Sequence, residues 1–282
     1  MCLAIIMFGV ALDICLADFQ ALFKNPKPIF IGLSSQLILL PVLTLILIVI
    51  TEPIPSLALG MMLVAACPGG NISNFMSSMA KGNIALSVSL TACTTILAIL
   101  FTPIIFTLLA STYEPTKELL KTFSISIYDV AFTVTFILGL PLLLGISFNH
   151  YLPTLTEKIK VVIKPFSILI FIVFVSVAFF KNKEIFMSYF QYIVYLVFAH
   201  NALAFLGAYF YSGLFQLSLT DRRSITIETG IQNSGLGLVL IFTFFDGLGG
   251  MAMITAWWGI WHIISGLTLA TFWSFKPLCL TA

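Results

Sequence analysis

The chain has 282 residues, of which 60% are hydrophobic and only 9% charged, with a net charge of +2 and a mean hydropathy of +1.11. Soluble domains carry about 25% charge, so this composition excludes a water-soluble core and puts the chain in a bilayer. The small basic excess forms no stripe of the kind nucleic acid needs, which removes that class of partner.

A helix crosses roughly 30 Å of hydrocarbon with about 20 apolar residues. Nine runs of that kind follow one another, at about 1–17, 28–50, 57–80, 84–110, 118–147, 161–180, 186–214, 223–245 and 251–274, and leave no room for a soluble domain. The first, MCLAIIMFGVALDICLA, lacks a basic leading region and a clear cleavage site, so it reads as a short spanning helix rather than a secretory signal. The second carries a polar residue, Gln36. The third is interrupted by AACPGGNISNFMSSMA, where Pro68 removes a helix donor and Gly69 and Gly70 each cost about 1 kcal/mol in a helix interior. Unwound backbone at membrane depth is tolerated only where it lines a protein-enclosed or water-filled cavity, so the freed carbonyls become oxygen ligands.

The fourth run opens with KGNIALSVSLT and sets Ser87 and Thr91 on one helical face. The seventh contains His200 and Asn201, and the eighth is again interrupted, by ITIETGIQNSGLGL. Around the two breaks stand oxygen-bearing side chains, Ser73, Asn74, Ser87 and Thr91 at the first and Glu228, Thr229, Gln232 and Asn233 at the second. Hard cations prefer such oxygens, and no His/Cys cluster invites a transition metal, so Na⁺ is the expected ion. Glu228 is the acidic residue expected deepest in the membrane, where a central carboxylate costs about 2.5–3.5 kcal/mol. With no Lys or Arg expected at that depth, a bound cation is its natural counter-charge. The half-helix N-termini can meanwhile face an anion. In the last run His262 and Trp257, Trp258 and Trp261 read mainly as packing, as do the five cysteines Cys2, Cys15, Cys67, Cys93 and Cys279.

The two broken runs lie five segments apart, the pattern of an inverted repeat. Five-helix units pair the second run with the seventh, the third with the eighth, the fourth with the ninth and the first with the sixth, and leave the fifth without a mate. The first half then lacks its opening helix. Gln36 and His200–Asn201 each sit one helix before a break, as the pairing requires. Lys24, Lys27, Lys81, Lys158, Lys160, Lys164, Arg222, Arg223 and Lys276 fall on one side and Lys117, Lys121, Lys181 and Lys183 on the other. This bias puts the C-terminus in the cytoplasm and the N-terminus outside.

CPGGNISN, KGNIALSVSLT and ETGIQNSGL, with IIMFGVAL, HNALAFLGAY and WHIISGLTLATFW, resemble the bile acid:sodium symporter family over nearly the whole chain. The resemblance begins inside that family's second helix, in agreement with nine helices. It implies an all-α polytopic membrane transporter with two discontinuous crossing helices. A core domain would take about 28–111 and 186–275, and a panel domain about 1–17 and 116–181. Carried over by position, one sodium would lie among Ser73, Asn74, Ser87, Thr91 and Glu228. A second would lie among Gln36, Glu228, Gln232 and the carbonyls of Thr229 and Ile231. Substrate would sit near Asn71, Asn233 and His262. Two positions depart from the family pattern: Asn71 stands where many relatives have Thr or another small residue, and Ile263 where bacterial relatives commonly have Asn.

The reading is a sodium-coupled importer of an organic anion, either bile-acid-like or a small carboxylate such as pantoate or pyruvate. It would sit in the cell membrane, the inner membrane in bacteria, and the sequence marks no obligate protein partner. Crossed broken helices with a buried carboxylate also suit a cation/proton antiporter in which Glu228 titrates. An intramembrane enzyme built on His262 or Cys67 lacks a nucleophile, base and orienting group together.

Overall fold

A computed structural model describes residues 25–122 and 135–275, together with Phe8, Gly9, Ala11, Leu12 and Phe132. Most of the expected first segment, the middle of the fifth, and Cys2, Cys15 and Cys279 lie outside the described residues.

Proline shapes the first described crossing. Helix α1 (Pro26–Ser34) passes through a π-turn (Ser35–Leu39) into α2 (Leu40–Thr51), and the Leu40 N–H reaches back to Ser35 O. Pro41 has no N–H and its ring would strike the carbonyl four residues earlier, so the turn before it widens. The crossing ends at Glu52 in the left-handed conformation, φ 41°. A second π-turn (Thr135–Gly139) precedes Pro141 in the same way.

The third segment is two helices, α3 (Pro55–Ala66) and α4 (Ile72–Met79). Then follow α5 (Ile84–Thr112), α6 (Glu114–Thr122), α7 (Leu140–Tyr151), α8 (Pro153–Lys181) and α9 (Lys183–Leu214). The eighth segment is likewise two helices, α10 (Leu219–Gly230) and α11 (Ser234–Phe244), and α12 (Gly249–Ser274) closes the described chain. Among the described residues four stretches are long and apolar enough to cross a membrane: Pro26–Thr51, Ile84–Thr112, Met187–Leu214 and Gly249–Ser274. The short apolar helices Pro55–Ala66 and Ser234–Phe244 are halves of the two broken segments.

The main core is built by α3, α5, α9, α11 and α12, with Leu57, Met61, Phe106, Leu196, Leu238, Ile254 and Trp258 inside it. Helices α3 and α12 touch almost backbone to backbone, since a methyl group at Gly60 would lie 2.9 Å from Met251 Cα. Large apolar side chains such as Phe30, Ile50, Leu100, Leu108 and Phe210 point outward, the arrangement that a hydrocarbon solvent favours. The described part of the first segment packs on α7: the Phe8 and Phe148 rings are 6.0 Å apart.

Candidate functional site: the helix crossing

The two breaks meet. Gly70 N–H donates to Ile231 O at 2.9 Å and Asn233 N–H to Pro68 O at 2.8 Å, so Gly69 and Gln232 face each other as an isolated antiparallel bridge. Each unwound stretch supplies the backbone partners that the other lost, which removes most of the cost of breaking a helix away from water. Two helix-end carbonyls are met by side chains of other helices. Thr102 Oγ1 on α5 donates to Ala66 O (2.7 Å) and Asn201 Nδ2 on α9 to Gly230 O (2.8 Å). Gln232 Nε2 donates to Thr229 O (2.8 Å).

Glu228 is fully buried beside this bridge. It lies in the last turn of α10, whereas the unwound stretch is confined to Ile231–Asn233. The structure brings Ser73, Asn74, Ser87 and Thr91 onto it. Ser73 Oγ and Ser87 Oγ each donate to Glu228 Oε1 at 2.5 Å, and Thr91 Oγ1 lies 3.0 Å from both carboxylate oxygens. Asn74 Oδ1 lies within hydrogen-bonding distance of the same hydroxyls, 2.9 Å from Ser87 Oγ and 3.2 Å from Thr91 Oγ1. Three hydroxyls hold three protons between them, while the amide and carboxylate oxygens offer lone pairs to all of them. The group therefore presents many more oxygen lone pairs than protons, the donor set a hard cation takes.

Gln36 enters from the π-turn between α1 and α2. A methyl group at Gly69 would lie 3.0 Å from Glu228 Oε2, 3.4 Å from Gln36 Oε1 and 3.7 Å from Glu228 O, so the missing side chain leaves a space ringed by oxygens. Both polar atoms of the Gln36 amide, and Gln232 Oε1, are buried without a hydrogen-bond partner. Thr229 O and Ile231 O each already accept one hydrogen bond, from Gln232 Nε2 and Gly70 N–H, and keep a second lone pair.

Asn71 and Asn233 flank the bridge as the residues from which α4 and α11 start. Asn233 Oδ1 caps α11 by accepting from Leu236 N–H at 3.0 Å, while the Asn71 side chain makes no cap. The His262 ring is buried and lies edge-on to Trp258, 6.5 Å away, and the same indole packs on His200 at 4.8 Å.

Ser77, which accepts from Ser87 at 3.0 Å, was not among the expected site residues, although it follows Ser73 by one helical turn. Ser35 was missed as well and bonds Thr229 Oγ1 at 2.8 Å. One of the basic residues read as lying outside the hydrocarbon is buried in protein. Arg223 is only 2% exposed, but its guanidinium donates to Ala80 O (2.7 Å) and Trp273 O (3.3 Å), not to Glu228.

The Sodium Bile acid symporter family matches residues 1–189. The chain belongs to this family. It is 31% identical over 274 residues to the sodium-dependent transporter YocS of Bacillus subtilis (strain 168), a match covering 97% of this chain and 82% of that protein. It is 30% identical to the probable chloroplastic sodium/metabolite cotransporter BASS1 of Arabidopsis thaliana, over 96% of this chain and 65% of that one. For the probable chloroplastic cotransporter BASS2 of Oryza sativa subsp. japonica the identity is 28%, over 98% and 64%. The chain thus spans just under two thirds of the chloroplast proteins. Membership makes it a multi-pass membrane protein of a sodium-dependent transporter family and sets the enzyme reading aside.

Proposed function

We propose that the chain is a symporter that carries two Na⁺ ions and one organic anion inward by alternating access. The observation that carries this reading is the excess of oxygen lone pairs converging on one buried carboxylate at the crossing. The two oxygens of Glu228 differ in company, which supports two ions: Oε1 meets the hydroxyls of Ser73 and Ser87, Oε2 faces the space over Gly69 with Gln36 Oε1, and Thr91 lies equally near both. In this reading Ser73, Asn74, Ser87, Thr91 and Glu228 hold one ion. Gln36, Glu228, Gln232 and the carbonyls of Thr229 and Ile231 hold the other. The anion, a bile-acid-like steroid or a small carboxylate such as pantoate, lies near Asn71 and Asn233 at the starts of α4 and α11, with His262 at the edge of the crevice.

The same reading assigns a core domain to about 28–111 and 186–275 and a panel to about 1–17 and 116–181. Nine crossings form an inverted repeat, with the N-terminus outside and the C-terminus in the cytoplasm. The contact of Phe8 with Phe148 suits a panel that includes the first segment. Gln36 beside the first break and Asn201 beside the second suit the repeat.

Two ions are enough to drive accumulation. A tenfold sodium gradient supplies about 1.4 kcal/mol per ion, and one net charge moving through 100 mV adds about 2.3, roughly 5 kcal/mol in all and a several-thousandfold concentration ratio. Antiport through Glu228 is not favoured, since these relatives are named sodium-dependent transporters or cotransporters. The test is binding of a panel of carboxylates and bile-acid steroids to the purified protein in Na⁺ and in K⁺, read by thermal shift. At least one anion should bind about tenfold more tightly in Na⁺, a coupling in the usual range for linked sites. Anion binding that is indifferent to the exchange of Na⁺ for K⁺ sinks the symport reading.

A further inference from the structure

One polar group lies outside the cation cluster but on the same two helices. Asp221, Ser224 and Glu228 share a face of α10 at spacings of three and four, and Asn83, Ser87 and Thr91 share a face of α5 at spacings of four. The faces zip together. Asn83 Nδ2 donates to Asp221 Oδ1 (2.7 Å), Ser224 Oγ to Asn83 O (2.9 Å), and further along Ser87 and Thr91 donate to Glu228.

Asn83 is bound on every side. Its N–H donates to Thr220 O at 3.1 Å, and its Oδ1 caps α5 by accepting from Leu86 N–H at 3.1 Å. Asp221 is 7% exposed. The arginines next to it turn elsewhere: Arg222 lies over the Tyr209 ring at 4.1 Å, and Arg223 bonds the carbonyls of Ala80 and Trp273. A plain helix cap accounts for part of this, because Asp221 N–H donates to Ser218 Oγ at 3.1 Å. It does not account for three hydrogen bonds between Asn83 and α10.

We propose that Asn83 and Asp221 are positioning residues that fix the register of α5 against α10, and so set the sodium affinity of a cluster they do not touch. The inference rests on the reading of the Glu228 cluster as a sodium site. A helix advances about 1.5 Å per residue, so a slip of one residue would carry Ser87 and Thr91 out of hydrogen-bonding range of Glu228.

The test is radiosodium equilibrium binding to the full-length protein in detergent, with anion affinity at saturating sodium as the second readout. N83D sets a carboxylate against the Asp221 carboxylate and should weaken sodium binding about tenfold. D221N keeps a neutral amide pair and should weaken it about threefold. The exchanged pair N83D/D221N restores one amide against one carboxylate and should return sodium affinity to within about twofold of the wild type, with anion affinity at saturating sodium unchanged throughout. Wild-type affinity in N83D, or an exchanged pair as weak as N83D, overturns the proposal. If N83D does not fold, the comparison passes to D221N and the exchanged pair, and an exchanged pair weaker than D221N overturns it. Glu228→Ala separates the two levels. If that variant binds sodium normally the site itself is wrong, whereas if it loses sodium and N83D does not, only the positioning role fails.

Discussion

The two breaks reach one geometry by different means. Between Ala66 and Ile72 the chain reads Cys-Pro-Gly-Gly-Asn, and no helix runs through it: Pro68 has no N–H to give Val64, and two glycines weaken what remains. Between Gly230 and Ser234 the chain reads Ile-Gln-Asn, which any helix would accept. There the unwinding is held from outside, by Asn201 on Gly230 O and by the exchange of Asn233 N–H to Pro68 O, together with the local Gln232 amide on Thr229 O. A locally encoded break is rigid whatever surrounds it. A break held by partners can be undone by removing one.

The largest effect should come where both breaks share a residue. Glu228→Ala removes the carboxylate that Ser73, Ser87 and Thr91 all address and that also faces Gln36. Sodium binding should weaken by more than about 100-fold, the scale of deleting one partner of a buried charge pair. Equal sodium affinity in the variant and the wild type would defeat the assignment. Next comes Asn201→Leu, which keeps bulk but leaves Gly230 O bare, while Ser265 Oγ keeps Trp261 O as an acceptor. The loss should be about 2 kcal/mol in thermal unfolding, the penalty of an unsatisfied buried carbonyl. Sodium affinity should fall with it, because a continuous helix would satisfy Gly230 O from Ser234 N–H and pull Asn233 off Pro68. Unchanged sodium binding in Asn201→Leu would mean that the second break needs no outside support.

This contrast also decides what the sequence can disclose. The first break is legible because proline and glycine act through local sterics. The polar run Glu228–Gly237 flags the second, but not that Glu228 stays helical and only Ile231–Asn233 unwinds, because the capping amide lies on α9. Ser87 and Thr91 were readable as one face, and Ser77 was within reach of the same spacing rule from Ser73. Gln36 stands out in the sequence as a polar residue one helix before the first break, but its place among the ion ligands rests on family likeness, although Pro41 could have signalled the π-turn that carries it. Arg223 was counted among loop charges. Its burial depends on the carbonyl ends of α4 and α12 converging on it, a coincidence of three helices that no linear pattern displays.

Within the first break, one glycine is tied to the site as well as to the backbone. Gly69→Ala leaves the proline and the bridge in place but puts a methyl 3.0 Å from Glu228 Oε2 and 3.4 Å from Gln36 Oε1. The space proposed for a second ion closes, while the hydroxyls of Ser73 and Ser87 on Oε1 are untouched. Sodium affinity at that site should drop about tenfold, and the sodium dependence of anion binding should fall from second towards first order in the ion. A dependence that stays second order would show that the space over Gly69 holds no ion.

The smallest effect should be at the cap of the first break, and its smallness is the point. Thr102→Val deletes the hydroxyl on Ala66 O without changing shape, as Asn201→Leu deletes the amide on Gly230 O. The lost hydrogen bond should cost about 1 kcal/mol of stability in Thr102→Val, against about 2 kcal/mol in Asn201→Leu, where a larger polar group is removed. Only at the second break can the helix rewind to recover it, because at the first the residue that would continue the helix is Pro68. Thr102→Val should therefore lower the melting temperature by a few degrees and leave sodium affinity within about twofold of the wild type. If it weakens sodium as much as Asn201→Leu does, the first break is held from outside too, and proline and glycine are not what keep it open.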